Sequence, residues 1–157
     1  MAGSALPVVG AAWHDLRMAI LDQLSTRAVT AIVIYCPCAL ASLQAFVAGD
    51  ADALEHDPAV ARMIAIIRAP NALGDFGVYQ GVIEIGLGVE TFIATAAAQP
   101  TLGTSDTPTW SPTVTLTTYV DQAVAEEDLE RLLRELIAAH PWEVPVIEVR
   151  AARLAIR

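Results

Sequence analysis

Lysine is absent from this 157-residue chain: the nine basic residues are all arginine, they face 18 acidic ones, and the formal net charge is −9. A nucleic-acid partner calls for a basic face that neutralises phosphates, so this balance argues against one. The all-arginine set and the abundant alanine read as the coding bias of a GC-rich bacterial genome. Cysteine is nearly as scarce, with only Cys36 and Cys38, separated by Pro37. One intervening residue leaves the pair too close for an ordinary disulfide, and a chain with no disulfide framework suits a reducing cytoplasm. The N-terminal run "MAGSALPVVGAAWHD" lacks a positive segment followed by a long apolar one, so no secretory signal is read. Also missing are a Gly-x-Gly-x-x-Gly loop, a lysine-bearing phosphate loop and a Gly-x-Ser-x-Gly elbow, which removes support for the usual nucleotide and acyl-transfer chemistries.

What is present is apolar: 55% of residues are hydrophobic and 17% charged, enough for one domain with a substantial core. The stretch from Ala28 to Gly49 carries no charge and is long enough to cross a bilayer. Thr30, Pro37, Ser42 and Gln44 interrupt it, however, and a β-branched strand followed by a helix accounts for it better. No membrane span is therefore expected.

Periodicity divides the chain into elements. "AAWHDLRMAILDQL" places Trp13, Leu16, Ile20 and Leu24 on one helical stripe. "AVTAIVIYC" reads as a buried strand that Pro37 stops, and "ALASLQAFVAG" as a helix closed by Gly49. Asp57-Pro58 is a start signal for the helix "PAVARMIAIIRA", which Pro70-Asn71 ends. "GVYQGVIEIGLGVETFIATAA" reads as two strands joined through Gly86 to Gly88. "QPTLGTSDTPTWSP" reads as a turn-rich loop. In "TVTLTTYV" the alternation of Val114, Leu116, Thr118 and Val120 predicts a half-buried strand. The helix "AEEDLERLLRELIAAH" turns Leu129, Leu132, Leu133, Leu136 and Ile137 to one face and carries Glu126, Glu127 and Asp128 in its first turn. A His140-Pro141 joint leads to the last strand, "VPVIEV". The order implies an α+β, ferredoxin-like βαββαβ sandwich over residues 28–157, with an N-terminal helical extension over residues 1–27.

The C-terminal joint "AAHPWEVPVIEV" resembles the His-Pro-Tyr-Glu-Val-Pro run of CutA-type cation-tolerance proteins. It also resembles the YqfO-like, PII-like module inserted in the proteins known as type-2 GTP cyclohydrolase homologues. Gly74, Gly77, Tyr79, Gly88, Phe92, Pro100 and Gly103 follow the spacing of the second group without gaps, and His140-Pro141 and Glu143 complete the likeness. Trp142 stands in the place of the usual tyrosine, and Ala94 in the place of a proline. The resemblance implies a PII/CutA-like homotrimer that binds a metal ion or small ligand and is not an enzyme. The catalytic half of the larger proteins needs more histidine and carboxylate ligands than His14, His56 and His140 help to supply.

Candidate sites follow from residue chemistry. His140 and Glu143 could ligate a divalent metal or contact a neighbouring protomer; the structural alternative is an imidazolium meeting the last helix carbonyls between two prolines. Cys36 and Cys38 could hold a soft ion such as copper, or simply pack. Tyr79 and Trp142 are the candidate ligand-binding aromatics, with Phe92 and Trp110 beside them in a set whose alternative place is core or interface. Gly81, Gly86 and Gly88 admit a close backbone approach, or mark a bulge or hairpin. An interface enzyme would need Asp75, Glu84, Glu90 and His140 to converge. The leading expectation is a cytoplasmic, metal- or small-ligand-responsive trimer. The alternative is a structural trimer that docks a protein partner and takes no small molecule.

Overall fold

Strand β1 spans Thr26–Pro37, and its run from Ala31 to Ile34 is buried without a break. Such a run fits a strand covered on both faces, and β1 lies inside a four-stranded sheet of order β2-β3-β1-β4. The other strands are β2 (Glu84–Ile93), β3 (Pro108–Asp121) and β4 (Val146–Ala155). The helices are α1 (Leu40–Val47), α2 (Pro58–Arg68) and α3 (Glu126–Ala139). These elements belong to a computed structural model that describes residues 24–157 together with Ala19. The N-terminal helix expected from Trp13, Leu16 and Ile20 lies outside the described residues.

All three neighbouring strand pairs are antiparallel. It follows that β1 and β2 run the same way with β3 between them, and β3 and β4 run the same way with β1 between them. Helices α1 and α2 make the first crossover and α3 the second. This is an α+β fold in which both helical connections return across the same sheet.

Ile32, Ile34 and Cys36 of β1 meet Val114, Leu116 and Val120 of β3, with Val60, Met63 and Ile67 of α2 and Leu132 and Leu136 of α3, in one core cluster. The alternation expected for β3 is therefore present. Thr118 is buried as well, its hydroxyl donating to the carbonyl of Val82 at 2.9 Å. In α3, Leu129 and Leu133 pack against the core but Ile137 is half exposed, so the apolar face is narrower than its leucine spacing predicts.

Local chemistry explains the helix ends. Asp57 is buried, and its Oδ1 accepts the N–H groups of Ala59 and Val60 at 3.1 and 3.3 Å, capping α2 ahead of Pro58. Its Oδ2 accepts the N–H of Ala39 at 2.7 Å, just before α1 begins. One carboxylate thus fixes the starts of two helices. Gly49, with φ of 104°, closes α1.

Two expectations are corrected. Residues 84–93 form one straight strand and not two: Gly86 and Gly88 pair in regular register with Thr115 and Thr113. Glycine without a side chain breaks the apparent period without bending the backbone. The loop expected through Pro112 ends earlier, because Pro108 to Pro112 already pair with β2. Pro112 lies past the last β1 pair, Pro37 with Thr113, and is tolerated there.

Candidate functional site

The His140-Pro141 joint is built first by its hydrogen bonds. His140 ends α3 in extended conformation (ψ 135°) and is buried. Its Nδ1 lies 3.2 Å from the Trp142 nitrogen, whose N–H can only donate, so Nδ1 is the acceptor. Its Nε2 lies 2.9 Å from the Tyr35 carbonyl oxygen, which can only accept, so Nε2 carries the hydrogen. The ring is a neutral strut between α3 and β1. Burial holds its pKa below the usual histidine range, against the pull of the Tyr35 carbonyl. The structural alternative is corrected in its partner and its charge: the ring meets a strand carbonyl, not the carbonyls of its own helix, and it is not an imidazolium.

The strut turns the chain so that Trp142 meets Phe92 edge to face, with ring centroids 5.5 Å apart. Next to it, Glu143 Oε2 accepts the N–H of Gln99 at 3.0 Å and ties the joint to the loop after β2. That loop is closed at its neck, where Ala94 bridges Ser105 and the Asp106 N–H donates to the Ala94 carbonyl. Between joint, loop and the end of β2 lies a cleft of about 410 Å³. Phe92, Ile93, Leu102, Trp142, Val144 and Val146 make its apolar walls, and Glu90 and Glu143 supply carboxylates. Burial raises the pKa of Glu90, while a 3.3 Å hydrogen bond from the Thr113 hydroxyl to its Oε2 works the other way. A second hollow of about 290 Å³, lined by Cys38, Asp57 and Ser111, shares Thr101, Leu102 and Trp142 with the first.

The other candidates fall elsewhere. Cys36 and Cys38 are free and buried. Burial, and then the nearby Asp57 charge, push their thiols up to about 12 and about 11. Both are therefore protonated at neutral pH, a poor state for a metal ligand. Among the described residues no three His, Cys, Asp or Glu side chains gather as a metal would require. Tyr79 is 71% exposed and does not meet Trp142. Its carbonyl accepts the Phe76 N–H, and Phe76 packs on Tyr119 at the far end of β3. The separation along β3 from Thr109 to Tyr119 is roughly 33 Å at 3.3 Å per residue. Trp110 is 70% exposed, so neither aromatic is core.

The four groups of the enzyme reading do not converge. Asp75 accepts the Gly77 N–H in its own loop, and Glu84 accepts the Tyr119 hydroxyl. Glu90 lies six residues along β2 from Glu84, roughly 20 Å away, and His140 is engaged as described. Leu102, Ile93, Val144 and Val146 are the cleft residues that sequence reading missed. Their one signal was position, beside Pro100, Phe92 and Glu143.

No family model and no curated protein sequence matches the chain. Among solved structures the fold is similar to a Bacillus cereus protein related to NIF3, with a TM-score of 0.52 at 12% identity. The likeness covers 82% of this chain and 26% of that one, so this chain spans about a quarter of its length. At this identity the likeness speaks for the fold alone. No described helix is long and apolar enough to cross a membrane, and the uncharged stretch 28–49 is divided between β1 and α1.

Proposed function

We propose that the chain is a ferredoxin-like, PII/CutA-related module that binds a small organic ligand in the Trp142 cleft and performs no catalysis. One observation carries this reading. Phe92 and Pro100, from one half of the sequence resemblance, and Trp142 and Glu143, from the other, line the same cleft although about forty residues separate them. The strand order, with two helical crossovers that each enclose an inserted strand, supports the ferredoxin-like assignment. The cleft volume falls in the range of small-molecule sites, roughly 300–1,000 Å³, and its walls are mostly apolar, as such sites are. Of the metal and the organic ligand, the geometry favours the organic one, because both His140 nitrogens are engaged and, among the described residues, no three metal-ligating side chains gather.

The test is a ligand screen followed by tryptophan emission in a Trp13→Phe, Trp110→Phe background, where only Trp142 reports. Binding that shifts this emission and is lost in Leu102→Phe, which crowds the cleft without adding a second indole, supports the reading. Ligands that bind equally well to the crowded variant refute it.

The module is proposed to work as a cytoplasmic homotrimer. Among the described residues strand β2 is a sheet edge, with Leu87, Val89 and Ile93 about half exposed, which favours strand-edge association. A solution mass three times the 16.6 kDa protomer is the expected light-scattering result, and a monomer at micromolar concentration counts against it. The second reading, a trimer docking a protein partner, is favoured by α1, which buries no residue and exposes Leu40 and Val47. Stoichiometric capture of a protein that Val47→Glu abolishes would support that reading.

A further inference from the structure

We infer that the Trp142 cleft selects an organic cation, an amine or quaternary ammonium on a compact apolar body; this rests on the cleft being the binding site. Charge complementarity inside a shaped cavity points to this class of ligand. Among the described residues, Glu90 and Glu143 are the charged ones that line the cleft, and no arginine does. Each carboxylate has one oxygen tied to the protein, Oε2 of Glu90 to the Thr113 hydroxyl and Oε2 of Glu143 to the Gln99 N–H. These bonds fix where the carboxylates stand and leave each Oε1 to meet a ligand.

The apolar walls decide what the rest of the ligand must be. Trp142 and Phe92 meet edge to face, an arrangement that leaves aromatic surface toward the cavity, and tryptophan is the strongest cation-binding ring. A bare metal ion would gain little from such walls and would lack a third protein ligand. An anionic ligand would meet two carboxylates with no countercharge. A neutral apolar ligand would cover the half-buried Glu90 carboxylate, whose bond from Thr113 is uncharged, without supplying a countercharge, which is costly. An ammonium group on an aromatic or short aliphatic body satisfies both parts of the cleft. The chain's net charge of −9 also draws cations toward it.

The experiment compares probes of equal shape and opposite charge on the full chain at low ionic strength. Phenethylammonium and benzyltrimethylammonium are titrated beside 3-phenylpropionate and 2-phenylethanol, with Trp142 emission in the Trp13→Phe, Trp110→Phe background as readout. The expected result is saturable binding of the cations, at least tenfold tighter than the anion and weakened by salt. Glu90→Gln and Glu143→Gln keep an acceptor oxygen for Thr113 and Gln99, so they remove charge without removing the bond. Each should weaken cation binding about threefold, and the double variant about tenfold. If the anion or the alcohol binds as tightly as the cations, the cation assignment fails while the cleft stands. If no probe of any charge perturbs Trp142, the assignment fails together with the cleft.

Discussion

The imidazole of His140 donates from Nε2 to the carbonyl oxygen of Tyr35 at 2.9 Å, joining the end of α3 to the interior of β1 across 105 positions of sequence. The Tyr35 carbonyl belongs to a strand already paired on both sides, with Thr115 and Val146. The bond holds the joint against the end of the sheet, and Trp142 and Glu143 take their places from it. The residues that shape the cleft thus depend on a histidine that does not line it.

Truncation of His140 should therefore unfold more than it disables. His140→Ala removes a buried ring and leaves the partly buried Tyr35 carbonyl and Trp142 N–H without their partner, and about 2–3 kcal/mol of stability should be lost. Urea unfolding measures it. His140→Gln, whose amide can still donate to Tyr35, should lose about half as much. Equal losses in the two variants would mean that the ring's volume and not its hydrogen bond holds the joint.

The same strut predicts a pH dependence. The folded-state pKa of His140 lies below its unfolded value, so the unfolded chain binds more protons once pH drops through the ordinary histidine range near 6.5. The contribution is fully present above that range and declines as pH falls toward the folded pKa. Protonation would also put a hydrogen on Nδ1 facing the Trp142 N–H. Between about pH 7.5 and about pH 5.5 the wild-type chain should lose more stability than His140→Gln. Parallel curves for the two proteins would assign the acid sensitivity to other groups.

Thiol chemistry offers an independent check on the core. With Cys36 and Cys38 held protonated by burial and by the Asp57 charge, a disulfide-exchange reagent at about pH 8 should label the native chain orders of magnitude more slowly than the chain unfolded in guanidinium. Two thiols per chain should react once it is unfolded. Rapid labelling of the folded protein would show that the strand end near Pro37 opens readily.

Most of the scaffold was legible where side chains carry a period. The β-branched run of β1, the alternation of β3, the Asp57-Pro58 start and the Gly49 stop all mark their elements. Reading failed where glycine and proline hide the period: β2 passes straight through Gly86 and Gly88, and β3 begins before Pro112. The site was half legible. The sequence singles out Trp142 but sets its partner Phe92 among several aromatics, and it offers Tyr79 as Trp142's companion although the two lie at opposite ends of β3. Spacing along a chain says nothing of which end of a sheet a loop reaches. The His140–Tyr35 bond was beyond reach for the same reason, since any strand carbonyl could have accepted it.

Asp57 is the next most informative position. Its carboxylate caps α2 and also accepts the Ala39 N–H, so Asp57→Ala removes three acceptor contacts from a buried place. A loss of about 2–4 kcal/mol is expected, above the roughly 1 kcal/mol of an ordinary cap. Asp57→Asn keeps one carbonyl oxygen and should retain part of the difference. The same variants should lower the thiol pKa values, because a charge that raises them is gone. A stability change no larger than an ordinary cap would show that the Ala39 contact contributes nothing.

The glycines of the resemblance divide into two kinds, and substitution should separate them. Gly74 adopts φ of 64° inside a turn where its N–H donates to the Tyr119 carbonyl at 2.8 Å and its carbonyl accepts the Val82 N–H. A methyl group there would collide with the Val82 backbone, which cannot move without opening the turn. Gly74→Ala combines left-handed strain with a backbone clash, and a loss of about 3 kcal/mol or more is expected. Gly88 sits in regular strand geometry, and an added methyl would meet only the Thr113 carbonyl at 3.7 Å. In an isolated protomer Gly88→Ala should change stability by less than about 1 kcal/mol. If it nevertheless reduces the solution mass from trimer to monomer, the bare stretch of β2 exists for a neighbouring chain's approach. If Gly88→Ala leaves both stability and mass unchanged, that glycine serves neither the fold nor the assembly, and the β2 edge must associate through Leu87, Val89 and Ile93 alone.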